Sequence, residues 1–277
     1  MLTLRIVKSK RIEGNEAFDR FLNGLPDTFN TTGNEIHTAR NRLRIMDVST
    51  MGVEGLSEVM VKRYHGLFFF QKFDYTYIRR PKCRKAFENT EELRRRGFEA
   101  AEELAYVEVW NHGFYQYAFF VSEVGRGERL DHLVIRLQEE GRKDIIDPLI
   151  HQFAAHLKSM HEHGILYRDM NCGNVLCRQE TPDGPWQFCM IDTNRARFYD
   201  EHQVLDMETV LPDLILMNPK MGTVEQFIAE YLKLRGCYSD EEVQRIRNIQ
   251  RCRHEKKRPV KHYLKRYKKA YYKWLEG

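Results

Sequence analysis

The feature that most constrains the fold is a helix, a short polar loop and a hairpin in direct succession between residues 144 and 192. Gly164 ends the helix, and the loop "RDMNCGN" follows at 168–174. "NVLC" and "WQFCMID" then read as two strands joined by the turn "TPDGP". The helix is predicted from an apolar stripe at spacings of four, four and three: Leu149, Phe153, Leu157 and Met160.

Three polar residues mark the ends of these elements. Asp169 follows the helix, Asn174 begins the first strand, and Asp192 ends the second. A hairpin returns its ends to one place, so Asn174 and Asp192 should lie side by side and offer the oxygen ligands that suit Mg²⁺. Asp169, one loop away, could accept a proton from a hydroxyl nucleophile. The pattern predicts a phosphoryl-transfer site.

The rest of the chain divides by composition into a strand-rich and a helix-rich part. "SEVMVKRY" (57–64) and "YQYAFFVSEV" (115–124) are typical of strands, and 81–98 is typical of a helix. We therefore predict an α+β fold with two lobes, residues 1–124 and 125–250, followed by a C-terminal helix at 251–277.

Length and cysteine pattern narrow the class of protein. The 277 residues suffice for one large domain or two lobes, and no apolar run reaches the length of a membrane span. The first residues lack the apolar core of a signal peptide. Six scattered cysteines form no C-x-x-C pair, so we expect reduced thiols in a cytoplasmic protein rather than a disulfide framework or a zinc site.

The charge is concentrated at the C-terminus. Residues 251–277 hold 11 Lys and Arg against 2 acidic residues, whereas the preceding 250 residues hold 34 basic and 38 acidic. Apolar and aromatic residues recur in this tail at helical spacing, which predicts a basic amphipathic helix. It could pack on the helical lobe, lie on an anionic membrane or bind nucleic acid, and we expect nucleic acid least: Val260, Leu264, Tyr267, Tyr271 and Trp274.

Several of these motifs resemble those of the protein kinase-like superfamily. "YRDMNCGN" resembles the H-R-D-x-x-x-x-N catalytic loop, with Tyr167 in the His place, and "IDTN" resembles the D-F-G position. The resemblance implies that Asp169 is the catalytic base, with Arg168 beside it, and that Asn174 and Asp192 bind Mg²⁺.

The same resemblance extends to the nucleotide site. "VMVK" places Lys62 where the phosphate-binding lysine belongs, with Glu88 in the following helix as its ion-pair partner and Glu91 and Glu92 as rivals. "VSEV" resembles the hinge, which implies adenine contacts at Glu123 and Val124. The implied cofactors are ATP and Mg²⁺.

One branch of the superfamily is closer than the others. "RNRLRI" (40–45), the helix segment "RRPKCRKAFENTEELRRRGF" and "IDTNRARF" resemble bacterial lipopolysaccharide core kinases, over roughly residues 30–235. This implies phosphorylation of a sugar hydroxyl on a glycolipid or small-molecule acceptor. It also implies a cytoplasmic enzyme, peripheral at the inner face of the inner membrane if the tail binds lipid.

Two departures from the motifs of the protein kinase-like superfamily leave alternative functions open. No G-x-G-x-x-G motif precedes Lys62, and only Gly33, in "NTTGNE", could serve a phosphate-covering turn. No A-P-E motif follows Asp192, which argues against a phosphorylation-switched protein kinase. A protein kinase, another small-molecule kinase and a non-catalytic pseudokinase scaffold remain alternatives, and the last would bind ATP without turnover.

Overall fold

A six-stranded antiparallel sheet forms the core of the N-terminal lobe in the computed structural model, which describes residues 2–37, 41–64, 69–182, 184–217, 222–253 and 255. The strand order is β1-β5-β6-β4-β3-β2. The strands are β1 Leu2–Lys8, β2 Asn34–His37, β3 Asn41–Asp47, β4 Glu58–Tyr64, β5 Glu103–Asn111 and β6 Phe114–Glu123.

Helices cover both faces of this sheet because its strands alternate their side chains. Val59 and Val61 of β4 are fully buried in a cluster that includes α1 (Glu16–Thr28). Tyr64, on the opposite face of β4, is buried with Cys83 and Phe87 of α3 (Lys82–Arg95). A further helix, α2 (Phe69–Tyr77), lies between β4 and α3 in sequence and packs beside β6.

The C-terminal lobe is mostly helical. Its central helix, α5, buries the predicted apolar stripe from Leu149 to Met160 against α7. The helices are α4 Leu130–Glu139, α5 Lys143–Glu162, α6 Met207–Leu214, α7 Val224–Leu234 and α8 at 240–253. Two small sheets complete the lobe: β7 Glu128–Arg129 with β9 Val175–Arg178 and β10 Gln187–Met190, and β8 Ile165–Leu166 with β11 Arg197–Phe198.

The strand-rich and helical lobes agree with the α+β, two-lobed architecture predicted from sequence. All six cysteines are free thiols. Within the described part of the chain, no helix combines the length and the apolar composition needed to cross a bilayer. The predicted tail helix at 251–277 falls almost wholly outside the described residues.

Candidate active site

The catalytic loop is attached to the helical lobe through a buried carboxylate. The side chain of Asp213, on α6, accepts hydrogen bonds from the backbone N–H groups of Tyr167 at 2.8 Å and Arg168 at 2.6 Å. His161 Nε2 lies 3.2 Å from the same carboxylate, and its Nδ1 is 2.6 Å from the hydroxyl of Tyr231. Asp213 and His161 are completely buried, so this network fixes the loop from beneath.

The predicted hairpin is present and brings Asn174 and Asp192 together. Val175 of β9 pairs with Met190 of β10, and the N–H of Ile191 donates to the carbonyl of Asn174 at 3.0 Å. The Tyr167 hydroxyl donates to the carbonyl of Ile191. The side-chain amide of Asn174 also donates to the Asp169 carbonyl at 3.0 Å, which ties the hairpin to the catalytic loop.

Lys62 reaches across from the sheet to this hairpin. Its Nζ lies 2.8 Å from Oδ1 of Asp192, and its side chain is only 12% exposed. The alternation of side chains along β4 explains why Lys62 points to the hairpin. Val61 points to the face of the sheet that packs against α1, whereas Lys62 and Tyr64 point to the opposite face. The amide of Asn194 donates to the same carboxylate oxygen. The structure thus joins the two predicted site residues that lie farthest apart in sequence.

Asp169 occupies a half-buried position in which Arg195 is the cation that acts on it most strongly. Burial raises the pKa of its carboxyl group, while the positive charge of Arg195 opposes the shift. The Arg195 Nη1 lies 3.1 Å from Asp169 Oδ1, and this guanidinium is 54% exposed. A carboxylate with a raised pKa is a better proton acceptor than an ordinary aspartate, provided that it remains ionised.

The donor set fits a magnesium ion. Asp192 supplies a carboxylate and Asn174 an amide oxygen, since the Asn174 NH₂ group is already used as a donor. Among the described residues, no group of three or more His, Cys, Asp or Glu side chains is arranged to hold a metal ion. Mg²⁺ commonly takes one or two protein ligands and completes its shell with water and phosphate oxygens. The ammonium of Lys62 beside Asp192 shows that the site favours positive charge.

The predicted hinge is only partly available to a nucleotide. The N–H of Glu123 donates to the carbonyl of Glu102 at 2.8 Å, and the Glu123 side chain pairs with Arg11. Val124 is the first residue beyond β6, and its backbone groups have no hydrogen-bond partner among the described residues. A Cβ at Gly125 would lie 2.5 Å from Leu176, so glycine lets the chain pass close above the hairpin.

The structure does not bring Glu88 to Lys62. Glu88 lies on the exposed face of α3, where its carboxylate is 3.2 Å from Arg80 and 3.9 Å from Arg84. The face of α3 toward the core instead carries apolar and small residues. The rival Glu91 is exposed, and the other rival, Glu92, pairs with Arg95 and Arg96, which lower its pKa to about 2. Asp192 therefore replaces a helix glutamate as the partner of Lys62.

Neutral hydrogen bonds hold α3 in place of that ion pair. The Thr90 and Thr193 hydroxyls are 2.8 Å apart, and the Thr193 hydroxyl also donates to the Ala86 carbonyl at 3.1 Å. The amide of Asn89 donates to the carbonyls of Thr193 at 2.8 Å and Ala196 at 3.2 Å. The helix is thus fastened directly to the segment that follows Asp192.

Gly33 does not form a phosphate-covering turn. It precedes β2, with a φ of 73°, and a Cβ there would lie 2.4 Å from the carbonyl oxygen of Ile45. Its role is the tight turn at the base of the β2–β3 hairpin, because only glycine fits so close to that carbonyl. The tip of this hairpin, residues 38–40, lies outside the described residues.

Two site residues adopt a left-handed backbone conformation. Arg168 has a φ of 62° and Asp192 a φ of 65°, and His112 in a hairpin turn is the third non-glycine residue with positive φ in the described part of the chain. This conformation disfavours residues with a Cβ. At Arg168 it is held by the hydrogen bond from the residue's own N–H to Asp213.

Sequence reasoning missed the residues that support the site. Asp213 belongs to no motif, and its only signal is a single acid within the apolar run "VLPDLIL". Thr90 and Thr193 give no signal at all, because their contact joins segments about a hundred residues apart. Arg195 was visible only as one of several basic residues after Asp192.

Comparison with known families decides the class of protein. A model described as the lipopolysaccharide kinase (Kdo/WaaP) family matches residues 34–211, which include Lys62, Asp169, Asn174 and Asp192. The chain belongs to this family. This member of the Kdo/WaaP family is therefore a kinase, and it transfers a phosphoryl group to a sugar of the lipopolysaccharide core.

A solved structure, that of WaaP, shows the same fold. WaaP in complex with acyl carrier protein matches the Kdo/WaaP kinase described here with a TM-score of 0.57 at 18% identity, covering 91% of this chain and 98% of that chain. The MAP kinase LmaMPK10 from Leishmania major gives a TM-score of 0.40 at 15% identity, covering 65% and 51%. No curated protein matches the chain in sequence.

Proposed function

We propose that the chain transfers the γ-phosphoryl group of ATP to a hydroxyl of an inner-core sugar, with Asp169 as the general base. The observation that carries this proposal is the convergence of Lys62 and Asp192 at 2.8 Å beside the loop that presents Asp169 and Asn174. A cation, a metal-binding pair and a carboxylate with a raised pKa are the parts that phosphoryl transfer requires.

In the proposed reaction, Asp169 orients the acceptor hydroxyl and takes its proton as the oxygen attacks the γ-phosphorus. The bond to the β-phosphate oxygen breaks, and ADP leaves. Lys62 would contact the phosphates, and Asp192 and Asn174 would hold Mg²⁺, which would supply neutralisation of the phosphate charge. Catalysis then rests on positioning and electrostatics, without a covalent enzyme intermediate.

The adenine would lie against the free backbone groups of Val124, above Leu176. Glu123 contributes by fixing the strand end, since its own N–H is already bonded to Glu102. Arg168 steadies the loop through its backbone, and its side chain is only partly exposed. Glu88 has no place in this arrangement.

The proposed location of the enzyme in the cell follows from its acceptor. A core sugar attached to lipid A lies in a membrane, so we propose a cytoplasmic enzyme that works at the inner face of the inner membrane. The basic tail at 251–277 would lie on the anionic lipid. The boundary between the two lobes would lie near residue 124. A free sugar or another small molecule is the alternative acceptor.

The test is mass spectrometry of the lipid A–core fraction from cells that lack the protein, after incubation with the purified enzyme, ATP and Mg²⁺. We expect a gain of one phosphate, and no gain with the Asp192→Asn variant. Asp200→Asn, an exposed carboxylate after β11, serves as the matched control. ATP binding without any phosphorylated product would favour the pseudokinase alternative.

A further inference from the structure

Exposed aromatic side chains form a patch at one end of the N-terminal sheet. Four large apolar residues that define this patch, which we term the aromatic patch, have exposed fractions of 50%, 63%, 72% and 40%: Phe73, Tyr77, Ile78 and Phe114. The ring centroids of Phe73 and Tyr77 are 4.9 Å apart, and those of Tyr77 and Phe114 are 6.2 Å apart. The patch is therefore continuous across α2 and the start of β6.

The opposite face of α2 is firmly attached to the sheet. Tyr75 packs on the buried ring of Tyr115 at 5.6 Å, and the N–H of Tyr115 donates to the Thr76 hydroxyl at 3.1 Å. Lys72 Nζ donates to the side chain of Gln116 at 2.7 Å. Because these contacts fix the helix, Phe73 and Tyr77 are held outward on a defined surface.

The surrounding charge is positive. Residues 69–88 contain six basic and two acidic residues, although residues 1–250 as a whole are net acidic. Arg79 and Arg80 are each more than two-thirds exposed. Aromatic rings flanked by exposed cations match the boundary between lipid headgroups and acyl chains, where the rings enter the boundary and the cations meet anionic headgroups.

The strand register places the aromatic patch near the acceptor. Glu58 and Val59 of β4 lie at the hinge end, where Val59 pairs with Glu123. Tyr64 lies at the other end of β4, pairing with Asn41 beside the tip of the β2–β3 hairpin, and α2 follows it. A nucleotide with its adenine at Val124 would extend its phosphates toward Lys62, two residues from this second end of β4. The aromatic patch therefore lies on the side from which the acceptor approaches.

We propose that the aromatic patch is a docking surface for an anionic lipid bilayer, which presents the membrane-bound acceptor to the cleft. The proposal rests on the function proposed above for the choice of acceptor, but the docking itself needs no turnover. It is also independent of the tail at 251–277, since it uses residues of the N-terminal lobe.

The experiment is sedimentation of the full-length protein with sucrose-loaded vesicles, without nucleotide. Vesicles of phosphatidylcholine with phosphatidylglycerol are compared with vesicles of phosphatidylcholine alone. We expect Phe73→Ser/Tyr77→Ser to lower binding to the anionic vesicles at least tenfold. The matched control is Val204→Ser/Tyr238→Ser, which removes two exposed apolar side chains of the C-terminal lobe and should bind as wild type does.

A second arm separates docking from folding and from catalysis. The double variant should melt within a degree or two of the control and keep its turnover on a delipidated core sugar, while KM for vesicle-embedded acceptor rises. Equal vesicle binding by both variants, or no binding by wild type, would overturn the proposal. Loss of vesicle binding in an enzyme that phosphorylates no core sugar would retain the docking surface and reject the proposed function instead.

Discussion

The carboxylates of Asp213 and Asp169 serve the same loop but are held in contrasting ways. Asp213 is completely buried and accepts two backbone N–H bonds, with His161 beside it. Asp169 is partly exposed and lies beside the exposed guanidinium of Arg195. The frame of the site is thus buried and fully hydrogen-bonded, whereas the proposed base has a partner that an acceptor can displace at little cost.

Helix α3 and Lys62 are also held by contrasting kinds of contact. Helix α3 is attached to the segment after Asp192 by neutral hydrogen bonds of Thr90 and Asn89. Lys62 is attached to Asp192 by a charge pair that a metal ion and phosphates would rearrange. The contacts that position α3 are therefore neutral, whereas the contact of Lys62, the proposed phosphate-binding lysine, depends on charge.

The largest effect is expected from breaking the frame. Asp213→Ala leaves two backbone N–H groups and His161 without their buried acceptor, which should cost about 3–5 kcal/mol in the free energy of unfolding. Urea denaturation measures this loss. Asp206→Ala, which removes only the N-cap of the same helix, should cost about 1 kcal/mol and leave turnover unchanged. Similar losses for both variants would contradict a special role for Asp213.

Changing the reacting carboxylate should leave the frame intact. Asp169→Asn retains the size of the side chain but cannot take a proton, so kcat should fall at least ~100-fold while the melting temperature changes little. Calorimetry should show ATP binding near that of wild type. Turnover within a few fold of wild type would remove Asp169 from the role of base.

The attachment of α3 should contribute a smaller amount. Thr90→Val and Thr193→Val each remove the shared hydroxyl contact, at roughly 0.5–1.5 kcal/mol of stability per hydrogen bond. The double variant should lose less than the sum of the two, because the residues are in direct contact. Denaturation of the three variants, with Thr31→Val as an exposed control, measures this coupling. Strict additivity would show that the hydroxyls act separately.

The smallest effect concerns the pH profile. Burial raises the pKa of Asp169 and Arg195 lowers it, so Arg195→Gln should raise this pKa further. Since the ionised form is the base, the acid limb of kcat/KM should move to higher pH, with little change at alkaline pH. Arg197→Gln, a neighbouring exposed arginine, is the control. An acid limb that stays in place in Arg195→Gln would show that the pair does not influence the base.

The contacts of the candidate site that could be predicted from the sequence are local. Asn174 and Asp192 are brought together by one hairpin whose strands and turn can be predicted from the sequence. The alternation of side chains along the strand that carries Lys62 can be predicted as well. Glu88 was assigned to Lys62 from the family pattern, and the error is one of helix phase, since the inward face of α3 begins one residue away with Phe87 and Asn89.

The long-range supports could not be predicted, because a single sequence contains no record of which distant segments meet. Asp213 lies 46 residues from Tyr167, and Thr193 lies 103 from Thr90. Both contacts depend on how two lobes and several helices pack. The free thiols and the two-lobed α+β fold could be predicted from the sequence, because they follow from composition and element order.

The left-handed backbone at Arg168 bears on how this enzyme would respond to directed evolution. A residue with a Cβ pays roughly 1–2 kcal/mol for that conformation, whereas glycine adopts it freely. The hydrogen bond to Asp213 uses the backbone N–H and would survive the exchange. A library screened only for heat resistance should therefore enrich glycine at position 168. The greater backbone freedom of glycine would then hold the proposed base, Asp169, less firmly and lower turnover. Screens for robust variants need turnover as a second criterion from the first round.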